Sequence, residues 1–327
     1  MSKKRKDLIY INGVCKSAEN RLIGKDRLTA MAEAKSLADA FSILSETGFG
    51  GENDVQAEQF ETLIRKEEDL LAAFVREYAP NDKTEKFCLI PYDFFNAEVA
   101  VKCSFLNHDA LGYMSVEGIY THEQIKEFVL NDGAPCDTEQ LKRAIALSNQ
   151  SLKSGCGGMT VGNIFVKQKF DCLAELAKGT YLYDIVKKRA DALNIFLALR
   201  SCDLQTAKEA RINIGCVDDE CLSALVSLKK DVIEKAFVGK AQSAKKLALD
   251  ALSAKLKGEP FVDSEREYSD YGAARMIASR FTETDGTKPF MLYYYKRKNE
   301  IACVRTVLTG KANGLDEEKI KRRLLSV

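Results

Sequence analysis

Residues 93–102 read DFFNAEVAVK, and two later stretches repeat the pattern: residues 191–200 read DALNIFLALR and residues 296–305 read KRKNEIACVR. Each copy has an Asn, five mostly apolar residues, and a basic residue six positions after the Asn. The copies begin about 100 residues apart, whereas solenoid repeats recur roughly every 20–50 residues. The sequence therefore predicts three similar units in one closed body rather than an extended array.

Polar residues divide the repeated stretch into two sides. In the first copy Asp93 and Asn96 are three positions apart, which places them within about 60° of each other on a helix. Lys102 lies nine positions after the Asp, on the opposite side. The second copy repeats this pattern, and the third has a Lys where the others have Asp. The nine polar residues that define the repeat are Asp93, Asn96, Lys102, Asp191, Asn194, Arg200, Asn299, Glu300 and Arg305.

Two interpretations of these nine residues are open at this point. In the first, the polar side chains are internal and hydrogen-bond to neighbouring helices or face water. In the second, one polar side of the helices lines a shared surface that receives a partner. The sequence alone does not choose between them.

A second shared element follows each copy and predicts a new helix. Thr121, Asp218 and Asp316 each suit an N-cap position, and each precedes acidic residues and then an apolar residue. Elsewhere, apolar residues recur at helical spacing over residues 60–75 and 37–44. With only 5 Pro in 327 residues, the chain is predicted to be all-α.

Composition disfavours several classes of protein. The chain has 49 Lys and Arg against 48 Asp and Glu, so a net charge of +1 gives no strong field toward nucleic acid or an anionic membrane. It carries ten Cys without a Cys-x-x-Cys pair and only two His, a pattern without zinc-ligand spacing. The basic residues 3–6 precede no long apolar core, so they are interpreted as a solvated tail without a secretion signal.

No catalytic, cofactor-binding or metal-binding residue is predicted. His108, expected in a loop, and His122, expected at a helix start, lie in no nucleophile motif. Residues 155–158 (GCGG) lack the Lys-Ser/Thr ending of a P-loop and are interpreted as a loop between helices. Gly310 and Lys311 are expected near a helix C-terminus.

The ordered set of motifs resembles the C subunit of V-type and A-type rotary ATPases, which is called subunit d in eukaryotic vacuolar enzymes. The most specific stretch runs over residues 288–320, from KPFMLYYYK through NEI and GK to GLDEEKI. Residues 18–23 (AENRLI) and 191–200 are similar in kind. The resemblance covers essentially the whole chain.

This resemblance implies a funnel-shaped, all-helical body of three similar lobes around a pseudo-threefold axis. The lobes are expected at residues 1–116, 117–214 and 215–327, with the N-terminal helix packed against the third. A non-catalytic role without cofactor or metal is implied, as are a peripheral position on the cytoplasmic face of the membrane and no binding of nucleic acid or a small-molecule substrate. The implied partners are the shaft subunits D and F and the proteolipid rotor ring (c/K), between which the subunit transmits torque.

Removing the charges of Lys102, Arg200 and Arg305 together is then expected to weaken docking of the shaft. Two other functions are weighed against the rotary one: a generic helical scaffold for unrelated partners, and an enzyme with a cryptic Cys–His or carboxylate site. The spacing of about 100 residues between copies favours the rotary function over the scaffold. Co-elution with D–F and the absence of hydrolase activity would distinguish the rotary function from the enzyme.

Overall fold

The computed structural model describes residues 7–51, 55–201, 203–262, 265, 268–279 and 286–324. In this part of the chain, α-helices are joined by loops and two short 3-10 helices, and there is no β-strand. The prediction of an all-α fold is confirmed. None of the helices in these ranges combines the length and the apolar character that crossing a bilayer would require.

The helices are numbered here in chain order. The first eight are α1 (Leu8–Glu19), α2 (Lys25–Glu33), α3 (Leu37–Ser45), α4 (Phe60–Tyr78), α5 (Asp82–Phe105), α6 (His122–Leu130), α7 (Glu139–Lys153) and α8 (Gly158–Ala177). The remaining described helices are α9 (Leu182–Ser201), α10 (Leu204–Ala210), α11 (Asp219–Val226), α12 (Lys230–Ala236), α13 (Gln242–Leu256), α14 (Asp270–Ser279), α15 (Lys288–Ala312) and α16 (Glu317–Lys321).

The chain divides into two compact units. One consists of Met1–Glu85 together with Arg266–Val327, and the other of Lys86–Glu265. The three lobe boundaries expected from the sequence stay a prediction.

Helix α15 is the centre of the unit that contains both termini. It contacts α1, α2, α3, α4 and α14, and its buried residues lie on all of its sides, as expected for a helix surrounded by other helices. Pro289 lies in its first turn, where the missing N–H removes no helical hydrogen bond. The apolar stripe predicted over residues 60–75 is confirmed: α4 buries Leu63, Leu71 and Val75.

In the unit Lys86–Glu265, α9 contacts α8, α10, α11 and α13. A second core forms where Phe94 of α5 packs with Ile125 of α6, Ile145 of α7 and Phe165 of α8. Each of these residues is almost fully buried, and each such side chain contributes roughly 1.5–3 kcal/mol through its removal from water.

The local predictions about loops and helix ends are confirmed. Residues 154–157 join α7 to α8, and Gly158, the last residue of the predicted loop, is the first residue of α8. Gly310 and Lys311 lie in the last turn of α15, His108 is in a loop, and His122 is the first residue of α6.

Candidate functional site

The Asn residues of the first two copies each hold a loop through a pair of amide hydrogen bonds. In α5, Asn96 accepts from the N–H of Ser115 at 2.7 Å and donates to the carbonyl of Val116 at 3.0 Å. In α9, Asn194 makes both bonds with a single residue, Ile212, at 2.9 Å each. Both Asn side chains are buried, so an apolar replacement would leave backbone groups without partners.

The Asp of the first copy holds the segment that starts the next helix. Asp93, which is fully buried, accepts from the N–H groups of Ile119 at 2.8 Å and Tyr120 at 3.1 Å. Those residues directly precede Thr121, which caps α6 by accepting from the N–H of Gln124 at 3.2 Å while the Gln124 side chain accepts from the N–H of Thr121 at 2.9 Å. Helix α5 thus fixes the first turn of α6.

The second copy repeats this arrangement. Asp191 accepts from the N–H groups of Cys216 at 2.7 Å and Val217 at 2.9 Å, and the Cys216 thiol donates to it at 3.3 Å. Asp218 follows directly and caps α11 by accepting from the N–H of Cys221 at 3.0 Å. Burial raises the pKa of Asp191, although the backbone donors oppose that shift. We call this Asp, its Asn and the segment they hold an Asp–Asn clamp.

A glycine makes room for the carboxylate in each Asp–Asn clamp. A Cβ on Gly118 would overlap the carboxylate of Asp93, and a Cβ on Gly215 would overlap that of Asp191. Gly215 also has φ +98°, a conformation that favours glycine. The clamped segments therefore read Gly, two N–H donors, then the N-cap residue. Sequence reasoning missed these glycines, although their position three residues before the N-cap was visible in both copies.

In the third copy a different carboxylate takes this role, and it holds a different segment. Lys296 stands where the other copies have Asp, but Glu300 lies one turn further along the same face of α15. Glu300 accepts from the N–H of Ile23, directly before Gly24, the N-cap residue of α2. The third carboxylate thus fixes the start of a helix near the N-terminus.

The predicted cap of the last helix has another partner. Asp316 does occupy the N-cap position of α16, and its carboxylate pairs with Lys319 at 2.7 Å. Asn299, the third repeat Asn, is buried in α15, where its amide lies 3.8 Å from the sulfur of Cys303.

Glu300 belongs to a buried ionic network that we call the charged clamp. Arg297 donates to both Glu300 and Glu67, and Glu67 also accepts from the N–H of Gly50. The guanidinium lies over the ring of Phe49, 5.3 Å from its centroid. Two carboxylates on one guanidinium give a formal charge of −1. Burial raises the pKa of Glu300, and Arg297 opposes that shift.

The three repeat cations lie at the surface. Lys102, Arg200 and Arg305 are partly exposed, whereas the other six repeat residues are buried. Their carboxylate partners within the chain are Glu98 for Lys102, Glu265 for Arg200, and Glu61 and Glu68 for Arg305. A role in contacting a partner stays a prediction for these cations.

Burial suppresses the reactivity of three thiols. The described cysteines are free, and burial raises the pKa of Cys15, Cys172 and Cys221 to about 12, so these thiols stay protonated at neutral pH. In the described ranges, no three His, Cys, Asp or Glu side chains form a group that could hold a metal ion. A cavity of about 1220 Å³ adjoins the charged clamp and is lined by Phe74 and Tyr293 among others.

Comparison with known proteins finds one family. A family model described as ATP synthase (C/AC39) subunit matches residues 11–154 and 160–323. The two segments include both Asp–Asn clamps and every residue of the charged clamp. None of the curated proteins matches the chain.

Proposed function

The chain belongs to the ATP synthase (C/AC39) subunit family, and from that premise we propose that it is a non-catalytic central-stalk subunit of a V/A-type rotary ATPase. It links the shaft subunits D and F to the membrane proteolipid ring on the cytoplasmic side and transmits torque between them. The observation that carries this proposal is the family match, whose two segments cover nearly the whole chain.

The clamps support a mechanical role. A subunit that transmits torque must resist rotation of its helices about the connecting loops. The Asp–Asn clamps fix the starts of α6 and α11, and the charged clamp fixes the start of α2. Buried polar networks whose members are all paired rigidify the elements that they join, which is the property that a rotor adaptor needs.

The surface charge supports polar contacts with partners. The nearly equal numbers of basic and acidic residues favour contacts that give orientation and specificity rather than affinity alone. The raised pKa values of Cys15, Cys172 and Cys221 also argue against these three thiols as nucleophiles of an enzyme. A generic helical scaffold is the alternative, and it would have no affinity for rotary-ATPase subunits.

A binding experiment separates these functions. The purified chain should co-elute with a D–F complex on a sizing column and should bind the detergent-solubilised proteolipid ring. Alone, it should hydrolyse no ATP. Absence of binding to both partners would leave the scaffold alternative, and ATP hydrolysis by the isolated chain would contradict a non-catalytic role.

The three repeat cations give a sharper form of this test. The variant Lys102→Ala/Arg200→Ala/Arg305→Ala is expected to bind D–F at least ten-fold more weakly, because three charges that orient a partner are removed. The matched control replaces three other partly exposed, ion-paired cations of the chain by Ala: Lys126, Arg143 and Lys187. Unchanged binding by a folded triple variant would contradict the prediction, as would an equal loss in the control.

A further inference from the structure

The start of α2 is held by one side chain of a distant helix. Gly24, the N-cap residue of α2, has no side chain with which to cap the first turn, and Ile23 before it donates its N–H to Glu300 of α15. In contrast, Thr121 and Asp218 cap the first turns of α6 and α11 with their own side chains. The segment 20–24, which joins α1 to α2, therefore depends on the state of the Glu300 carboxyl group.

The two carboxylates that meet at Arg297 carry more negative charge than its guanidinium neutralises. Glu67 is 3% exposed and Glu300 is 4% exposed, and both bind Arg297. Among the residues that the structure describes, no second cation forms an ion pair with either carboxylate. A buried charge without a partner is unfavourable. One proton bound by a carboxylate makes the charged clamp neutral.

The closed and open positions of the segment 20–24 differ in proton affinity. In the closed position, burial raises the pKa of Glu300 above 4.5 and Glu67 adds to that shift, although Arg297 and the Ile23 N–H oppose it. When the segment opens, water reaches the carboxylate and its pKa returns toward the ordinary value. A bound proton therefore stabilises the closed position. The neutral carboxyl group keeps an oxygen that accepts from the Ile23 N–H, so this contact survives protonation.

From this geometry we propose that the charged clamp is a proton-operated latch. A proton on Glu300 holds the segment 20–24 closed against α15, and loss of the proton lets the segment open more often. Ile23 and Gly24 line the cavity of about 1220 Å³ that adjoins the clamp, so the latch controls access to that cavity. The latch is a property of the chain itself and goes beyond the proposed function, on which it does not depend.

Other charged and titratable groups surround this network, and they pair elsewhere, face water or are neutral. From the elements packed around Glu300 they are Tyr293 on α15, Lys66 and Glu68 on α4, Cys15 and Glu19 on α1, Arg21, Asp26 and Arg27 around the start of α2, Glu46 after α3, and Asp270 on α14. The acids on α1, α4 and α14 each pair with a cation of α15. The groups around the start of α2, Glu46 and Lys66 are exposed, so water screens them. Burial raises the pKa of Cys15 to about 12 and also raises the pKa of Tyr293, so both are neutral in the pH range of the test below.

Amide exchange of the wild-type chain tests the latch directly. The protection factor of the Ile23 amide, measured by NMR, is expected to fall at least about five-fold between about pH 4.5 and about pH 8, because loss of the proton favours the open segment. The internal controls are the amides of Thr84, in the same unit, and Ile212, which bond to the side chains of Asn81 and Asn194. Asn side chains do not titrate, so the protection of both control amides should stay within about two-fold.

The variant Glu300→Gln identifies the group that binds the proton. Its side chain keeps an oxygen for the Ile23 N–H and carries no charge at any pH, so the Ile23 amide should stay protected over the whole range. The matched control is Glu68→Gln, which removes the charge of another α4 carboxylate that pairs with a cation of α15. This control should keep the pH dependence of the wild type.

A carboxyl titration of the wild type keeps the test independent of any variant. With ¹³C-labelled Glu, the Glu300 carboxyl signal should titrate with a midpoint above 4.5. Four results would overturn the inference: protection of the Ile23 amide that does not change with pH, an equal fall in Glu300→Gln, an equal fall at the Thr84 and Ile212 amides, and a Glu300 midpoint at or below 4.5. An equal fall at the control amides would mean that the whole chain loosens with pH rather than this segment.

Discussion

The Asp–Asn clamps of the unit Lys86–Glu265 and the charged clamp of the other unit both fix the start of a helix, but they use different side chains. Each Asp–Asn clamp holds two N–H groups that directly precede a helix N-cap, and the charged clamp holds one. In the Asp–Asn clamps a short carboxylate reaches the backbone only because a glycine lets the segment approach. In the charged clamp a longer Glu side chain reaches its segment, and an Arg supplies the remaining contacts.

This difference determines how each clamp can fail. The Asp of an Asp–Asn clamp is satisfied by backbone dipoles, so its weak point is the space that the glycine leaves. The charged clamp depends on one guanidinium between two buried carboxylates, so its weak point is Arg297. Removing one partner of a buried ion pair leaves an uncompensated charge in a medium of low polarity.

Arg297→Met should therefore have the largest effect. The substitution keeps much of the side-chain volume but leaves the carboxylates of Glu67 and Glu300 unpaired, so the free energy of unfolding should fall by about 3–5 kcal/mol in urea titration. Adding Glu67→Gln and Glu300→Gln to this variant should recover part of the loss. A loss below about 1 kcal/mol for Arg297→Met, or no recovery in the triple variant, would show that the network does not depend on its charges.

Gly215→Ala tests the weak point of an Asp–Asn clamp and should have the next largest effect. The new Cβ combines a strained positive φ with overlap on Asp191, so the free energy of unfolding should fall by about 3 kcal/mol. The control is Gly179→Ala, which has φ +81° with no atom within 4 Å of the Cβ and should lose only about 1 kcal/mol. Equal losses would mean that the glycine serves the backbone conformation and not the carboxylate.

Sequence reasoning came nearer to one clamp type than to the other for a physical reason. Asp93 and Asp191 lie in copies of one local pattern, and Thr121 and Asp218 follow within about 30 residues, so spacing alone identified these residues and the N-caps, although not the hydrogen bonds that join them. Glu300 contacts Ile23 across 277 positions. No local periodicity encodes a contact of that separation.

The glycines show a second limit of sequence reasoning. The sequence shows that residues 118 and 215 are glycines. It does not show that each lies against a carboxylate, because that contact forms only when the loop folds against the helix. The all-α fold, the helix starts at Thr121 and Asp218, and the helical course of residues 60–75 depended on local propensity and were predictable.

The pH dependence of stability tests whether an Asp–Asn clamp carries a charge. Its expected change in the free energy of unfolding is smaller than those of the two substitutions above. Because burial raises the pKa of Asp191 above 3.8, the folded chain binds this proton more tightly than the unfolded chain. Its contribution to the free energy of unfolding is then greatest below pH 3.8 and falls as pH rises through the raised pKa. Asp191→Asn keeps an oxygen for both N–H groups but cannot titrate, so the wild type's advantage over it should shrink as pH rises from about 4 toward neutrality.

The neighbouring N-cap provides a control of opposite sign for this pH test. Burial would raise the pKa of Asp218, but the hydrogen bonds from Lys240 and from the Cys221 backbone outweigh burial and lower it to about 2. The advantage of the wild type over Asp218→Asn should therefore be present above pH 3.8 and disappear as pH falls toward 2. If urea titrations across this range gave both variants the same sign of pH dependence, the Asp191 carboxylate would be ionised like a surface acid. The Asp–Asn clamp would then be held by charge, as the charged clamp is, and the contrast between the two would reduce to the length of the acidic side chain.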